Sequence, residues 1–135
     1  MFLLQPRKTK YKKARKARLK KFESKANNMK FGELGLKAKI AGIITANQIE
    51  AARRAIVRKT KRKGKIWICI FPNTPISSKP TESRMGKGKG AISHWSAKIK
   101  GGTNLFEICG IPKHIAIEAL RAGSKKLPIK TKIFD

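Results

Sequence analysis

The segment RMGKGKG at residues 84–90 alternates glycine with cations, a pattern suited to holding phosphate. Gly86, Gly88 and Gly90 remove side-chain bulk so that the backbone can approach a polyanion, while Arg84, Lys87 and Lys89 supply charge. The small-nucleotide motifs that share this look fail on context. A Walker loop needs Ser or Thr after its GK, whereas Gly88 and Lys89 are followed by Gly90 and Ala91. A dinucleotide fingerprint lies between a strand and a helix, whereas prolines precede this loop and a strand-like run follows. Contact with a long polyanion is the reading that remains, ahead of a plain flexible tip.

Other chemistry is sparse. Glu23, Glu33, Glu50, Glu82, Glu107, Glu118 and Asp135 are scattered, with no paired carboxylates for acid–base work, and Glu50, Glu107 and Glu118 read as partners in local ion pairs. Cys69, His94, Cys109 and His114 come in the wrong order and at separations too long for a zinc finger. Both cysteines sit in apolar runs and read as buried small hydrophobes. His94, beside Trp95, reads as structural or solvent-facing rather than as a base contact, and His114 more so. No enzyme, metal or cofactor is expected.

Lys and Arg number 34 against 7 acidic residues, a net charge of +27, so the chain repels itself unless a polyanion neutralises it. Nucleic acid is the default partner. A hydrophobic content of 40% still suffices for one modest core. No run is apolar and long enough to span a bilayer, so no membrane partner is expected.

The charge is densest at the N-terminus. Residues 1–30 read as a basic arm carrying Lys8, Lys10, Lys12, Lys13, Arg15, Lys16, Arg18, Lys20 and Lys21, too poor in apolar residues to build a core stripe. Tyr11 and Phe22 are placed to stack on bases or on the body. An Arg- and Lys-rich start also describes a transit peptide, but serine is scarce and lysine outnumbers arginine here.

Residues 31–135 read as one globular α+β domain that must position the loop. Residues 31–40 suggest a strand. Thr45 and Gln48 form a capping box, with Ile44 and Ile49 as its hydrophobic staple, so a helix opens at Thr45 and runs to about Arg62. Ile49, Ala52 and Ile56 line one face, while Arg54, Arg58 and Lys61 recur at spacings of four and three on another as a phosphate-facing stripe. Residues 65–71 carry apolar residues on both faces and read as a central strand. Pro72, Pro75 and Pro80 then preclude regular pairing and carry the chain into a long excursion over residues 72–93. Residues 95–100 alternate as a half-buried strand, and Gly101 and Gly102 turn it into residues 104–109 as an antiparallel hairpin. A second helix opens after Pro112 and is stopped by Pro128, before a last strand over residues 129–134. The expected architecture is a mostly antiparallel sheet with two packed helices.

Several of these segments together resemble the large-subunit ribosomal protein sixteen family. KRKGKIWICIFP at residues 61–72, and RMGKGKG followed by Trp95, are similar to its two hallmark segments. The opening QPRKTK, the segments ITANQIEAARRAI and KPTESRMG, and the closing KLPIKTKIF extend the resemblance in order over essentially the whole chain. Cys69 departs from it, standing where a basic residue is usual, and residues 104–109 are a less typical hairpin.

The resemblance implies an α/β-hammerhead body and a basic arm that begins at the family's mature start. It implies a scaffold rather than an enzyme, binding large-subunit rRNA near the aminoacyl-tRNA site and the peptidyl transferase region. Neighbouring large-subunit proteins and the aminoacyl-site tRNA are the implied partners, and no homo-oligomer is expected. The residues expected to contact RNA are Lys8, Lys10, Lys12, Lys13, Arg15 and Arg18 in the arm, Arg54, Arg58 and Arg62 on the helix, and Arg84, Gly86, Lys87, Gly88, Lys89 and Gly90 in the loop. A Lys-, Ile- and Asn-leaning composition, with KPTE and EAARR, is most similar to mitochondrially encoded members. The expected location is the ribosome of the mitochondrial matrix, with plastid and bacterial cytoplasm as alternatives. A nucleoid protein coating duplex DNA by charge alone is the rival binding class, but it needs no proline-framed glycine loop.

Overall fold

Alternating apolar residues over residues 34–38 build a strand, and the chain then divides into two sheets, each packed on one of two helices that pack on each other. The computed structural model describes residues 4–15, 17, 19, 22–25 and 28–135. In chain order the elements are β1 (Leu34–Ala38), β2 (Gly42–Thr45), α1 (Ala46–Lys59), β3 (Lys65–Ile68), β4 (Thr74–Ser78), β5 (Ala91–Ile99), β6 (Asn104–Cys109), α2 (Lys113–Ser124) and β7 (Thr131–Phe134). One sheet has the order β3-β6-β1-β7 and the other β2-β5-β4, with every pairing antiparallel. The fold is α+β.

α1 opens where its capping box requires. Thr45 is extended at φ −79° and ψ 157°; its hydroxyl accepts from Gln48 N at 3.3 Å while Gln48 Oε1 accepts from Thr45 N at 2.9 Å. Ile49, Ala52 and Ile56 are its buried face, as the periodicity predicts. The helix ends at Lys59 rather than Arg62. Lys61 and Arg62 adopt left-handed φ of 51° and 64°, which costs about 1 kcal/mol or more per residue, and Thr60 and Arg62 donate back to Ile56 and Val57.

α1 packs on α2 and on the β2-β5-β4 sheet, and α2 packs on β1 and β7. The helices approach closely because Gly123 of α2 has no side chain: a Cβ there would lie 2.7 Å from Ile56 Cγ1. Leu36, Ile44, Ile49, Ile56, Leu105, Phe106, Ile108 and Leu120 are almost wholly buried between these layers. Each contributes about 1.5–3 kcal/mol of transfer free energy relative to exposure.

Three sequence-based expectations give way. Residues 104–109 do not form a hairpin with β5; β5 lies between β2 and β4, whereas β6 lies between β3 and β1. Gly101 and Gly102 instead make a corner between sheets, at which Gly102 has φ of 89° and donates to Ala38 O at 2.7 Å. β3 is an edge strand, pairing with β6 alone among the described residues. Its two apolar faces reflect cover from above and below: Ile66 and Ile68 pack on the core, and Trp67 stacks with Phe31 at 6.0 Å between ring centroids. The excursion expected over residues 72–93 shortens to residues 79–90, because β4 accommodates Pro75 opposite Trp95. An edge position tolerates a residue without an N–H donor.

Candidate nucleic-acid interface

β4 and β5 form the neck from which residues 79–90 project. Residues 81–89 are exposed throughout, among them Arg84, Lys87 and Lys89, and Met85 is fully bare. Lys79 Nζ donates to Gly86 O, bracing the loop from within. The three glycines differ. No atom lies within 4 Å of where a Cβ would stand at Gly86 or Gly88, whereas at Gly90 it would meet Ser78 O at 2.2 Å. Missing bulk thus leaves Gly86 and Gly88 open to an approaching backbone, but at Gly90 it lets the two strands of the neck close.

The arm lies against this loop. Lys13 Nζ donates to Lys89 O at 2.8 Å, Lys89 Nζ donates to Ala14 O at 2.7 Å, and Lys98 Nζ donates to Arg15 O at 2.9 Å. Each ammonium has three donors, so one contact to a carbonyl leaves two for phosphate. Lys8, Lys10, Lys12 and Arg15 are exposed beside them, with Lys10 Nζ 5.6 Å from the Tyr11 ring centroid. Lys16, Arg18, Lys20 and Lys21 lie outside the described residues.

Three contacts anchor the arm's root. Glu23 N donates to Gly101 O at 2.8 Å and its carboxylate pairs with Lys100 at 3.1 Å, while Phe22 covers the corner so closely that a Cβ at Gly102 would lie 2.4 Å from its ring. Phe22 therefore stacks on the body, the second of the two roles its sequence allowed.

The deeper anchor is Glu107, which the sequence alone presents as a local ion-pair partner. It is wholly buried in β6 and makes no ion pair among the described residues. Its carboxylate accepts backbone N–H bonds from Lys30 at 3.1 Å, Phe31 at 2.7 Å and Gly32 at 2.8 Å, and from Asn104 Nδ2 at 2.5 Å. Burial pushes its pKa up, but the N–H donors of Phe31, Gly32 and Lys30, aided by Cys69, outweigh it and leave the carboxyl below its ordinary value. The signal available in the sequence was a lone acid inside the apolar run LFEIC of a very basic chain.

Cys69 is exposed rather than buried, and Cys109 is half-buried. The Cys69 sulfur turns to Glu107 Oε1 at 3.6 Å, and partial desolvation together with that carboxylate pushes the thiol up to about 12. His94 and His114 are both exposed, and His94 lies with Trp95 and the first residues of α1 around a shallow hollow.

On α1 the expected arginine stripe is only partly free. Arg53 grips Glu50 with two bonds of 2.8 and 2.7 Å, and Arg54 Nε reaches the same carboxylate at 3.1 Å. The Arg53 hydrogen bond, opposed by burial and reinforced by Arg54, holds Glu50 at about 2. Arg58 is exposed on the helix, whereas Lys61 and Arg62 lie beyond its end in the left-handed turn, so Arg54, Arg58 and Lys61 do not share one helical row. The turn nonetheless returns Arg62 and Lys61 to a cleft with Arg54 and Arg58. Such a cleft concentrates cations without nucleophile or paired acid, which suits it to anion binding.

Comparison with known proteins is consistent with that chemistry. The family model described as ribosomal protein L16p/L10e matches residues 6–134. The chain is 55% identical over 130 residues to large ribosomal subunit protein uL16 of Parvibaculum lavamentivorans, covering 96% of this chain and 94% of that one. It is 53% identical over 131 residues to the uL16 protein of Maricaulis maris, covering 97% and 96%, and 52% identical over 129 residues to that of Borrelia recurrentis, covering 96% and 94%.

Proposed function

The chain belongs to the ribosomal protein L16p/L10e family, and on that premise we propose that its arm and glycine loop act as one cationic surface on large-subunit rRNA, facing the aminoacyl-site tRNA. The protein is a structural constituent of the large ribosomal subunit, not an enzyme. The observation that carries the reading is the crossed pair of contacts in which Lys13 holds the Lys89 carbonyl and Lys89 holds the Ala14 carbonyl. Two segments far apart in sequence thereby present Lys8, Lys10, Lys12, Arg15, Arg84 and Lys87 together. Their role is to neutralise phosphates where RNA helices crowd, so that late assembly steps proceed and the tRNA arm meets a positive rail.

Within this reading residues 1–30 are the rRNA-binding arm and residues 31–135 the body that carries the loop. The compartment we favour is the mitochondrial matrix, on the Lys- and Ile-leaning composition and the segments KPTE and EAARR. The bacterial sources of the reported relatives favour the bacterial cytoplasm as a second reading. Fractionation of source cells decides between them, since the protein must sediment with large subunits from purified mitochondria in the first case.

Binding is tested by titrating the chain against large-subunit rRNA and against duplex DNA at matched salt. Preference for the rRNA, with loss of affinity in an arm-and-loop variant, is expected. Equal affinity for both would sink the reading in favour of a charge-driven coat on DNA.

A further inference from the structure

A basic groove outside the arm and the loop lies where the ends of α1 and α2 converge. Arg58 and Lys61 line it from the end of α1 and the turn after it, and Arg121, Lys125 and Lys126 from the end of α2 and the turn after it, around a volume of about 960 Å³. The carboxylate in its lining, Glu118, is already taken by Lys59 at 3.2 Å. None of the five other cations has a carboxylate partner among the described residues.

Helix dipoles account for only part of this cluster. They favour cations at the C-terminal end of a helix, where Arg58 and Arg121 lie in the last turns and Lys125 caps α2, whereas Lys61 and Lys126 lie beyond both ends. Arg121 and Lys125, four apart, also repel. Their accumulation around one concavity is unfavourable in the isolated chain and becomes favourable once a polyanion enters. No aromatic side chain lines the groove, so it lacks the stacking platforms that hold unpaired bases. Charge without stacking fits the phosphate backbone of a duplex, recognised by shape.

We propose that this groove seats the backbone of an rRNA duplex as a second attachment site, independent of the arm and loop. The proposal rests on the ribosomal reading above and extends it to Arg121, Lys125 and Lys126, which are contributed by the end of α2 and the residues just after it. Two attachments on one rigid body raise avidity without new contacts at either, and fix the orientation of the first.

The test compares three charge-matched variants for the salt dependence of binding to full-length large-subunit rRNA transcribed in vitro. Arg121→Gln/Lys125→Gln/Lys126→Gln removes the α2 side of the groove, Lys87→Gln/Lys89→Gln with Arg84→Gln removes the loop cations, and Lys39→Gln/Lys130→Gln/Lys132→Gln serves as the exposed control. Circular dichroism melts check folding, with Lys125→Gln/Lys126→Gln as the milder groove variant. The groove variant is expected to lower the slope of log K against log salt by roughly 2 to 3, at about 0.9 per lost phosphate contact, and the control by much less. A groove variant with the wild-type slope, or one no different from the control, overturns the groove while leaving the loop result to stand. Failure of the wild-type chain to prefer rRNA overturns the ribosomal reading itself, and the groove with it.

Discussion

Lys13 and Lys89 are bound crosswise: the Lys13 ammonium lies 2.8 Å from the Lys89 carbonyl, and the Lys89 ammonium lies 2.7 Å from the carbonyl of Ala14, next to Lys13. Neither lysine is neutralised by this, since a carbonyl carries no charge. Both are positioned, and the repulsion between arm and loop is offset where it would be worst.

That relationship predicts coupling. Lys13→Ala and Lys89→Ala should each lower the salt slope of rRNA binding by roughly 0.7 to 0.9 if each contacts one phosphate. The double variant should depart from the sum of the single effects on affinity by about 0.5 kcal/mol or more, as groups in one network do. Strict additivity in the cycle would show that arm and loop bind separately.

Gly88 and Gly90 should separate function from folding. Gly88→Val projects into open space and is expected to melt within a few degrees of wild type, yet to slow incorporation into subunits or accommodation of tRNA. Gly90→Val meets Ser78 O and should cost about 1–3 kcal/mol of stability, as overpacking does. Equal melting temperatures for the two would contradict the closed neck between β4 and β5.

Acid should loosen the root of the arm. The folded Glu107 pKa is depressed, so its contribution to stability is fully present above the ordinary carboxylate value of 4.5 and is lost as pH falls through the lower folded value. Glu50, held at about 2, contributes with the same sign over the range below 4.5. Glu107→Gln should therefore lower stability at neutral pH by about 1–3 kcal/mol and flatten the acid limb of the stability profile. Glu50→Gln should flatten it separately. An unchanged acid limb in the double variant would show that neither carboxylate is held as described.

Cys69 should be accessible but slow to react. With its thiol near 12, roughly one molecule in ten thousand is thiolate at pH 8, so alkylation by iodoacetamide should lag far behind that of a cysteine in an unfolded peptide. Glu107→Gln removes the adjacent negative charge and should speed labelling of Cys69, read by mass spectrometry, at a pH where the variant is still folded. Labelling at the unfolded-peptide rate in the wild-type chain would refute the Cys69–Glu107 contact.

Much of the local structure was legible in residue order. The Thr45 and Gln48 box marks the start of α1, Pro112 precedes α2, and the exposed loop follows from glycine alternating with cations; each is decided by neighbours within a turn or so of chain. Strand partners were not legible in the same way. The alternation in residues 95–100 identifies a strand, but β5 and β6 are equally able to pair with each other or with others, and only the packing of α1 and α2 on separate sheets decides. β4 is not legible in the sequence because Pro75 argues against a strand unless its edge position is known.

The cations show the same division. Their number and clustering establish from sequence alone that the chain needs a polyanion, because a net charge of +27 on one small core is intolerable without one. Residue order also carries the family, through motifs spread over the whole chain. Which cations act together was decided only by tertiary structure: Lys13 meets Lys89, Arg54 is drawn off by Glu50, and Arg121 and Lys125 join Arg58 across two helix ends. The physical reason is range. Helix caps and turns are local interactions, whereas the surface a charge belongs to depends on backbone carbonyls and carboxylates brought near by contacts between residues far apart in the chain.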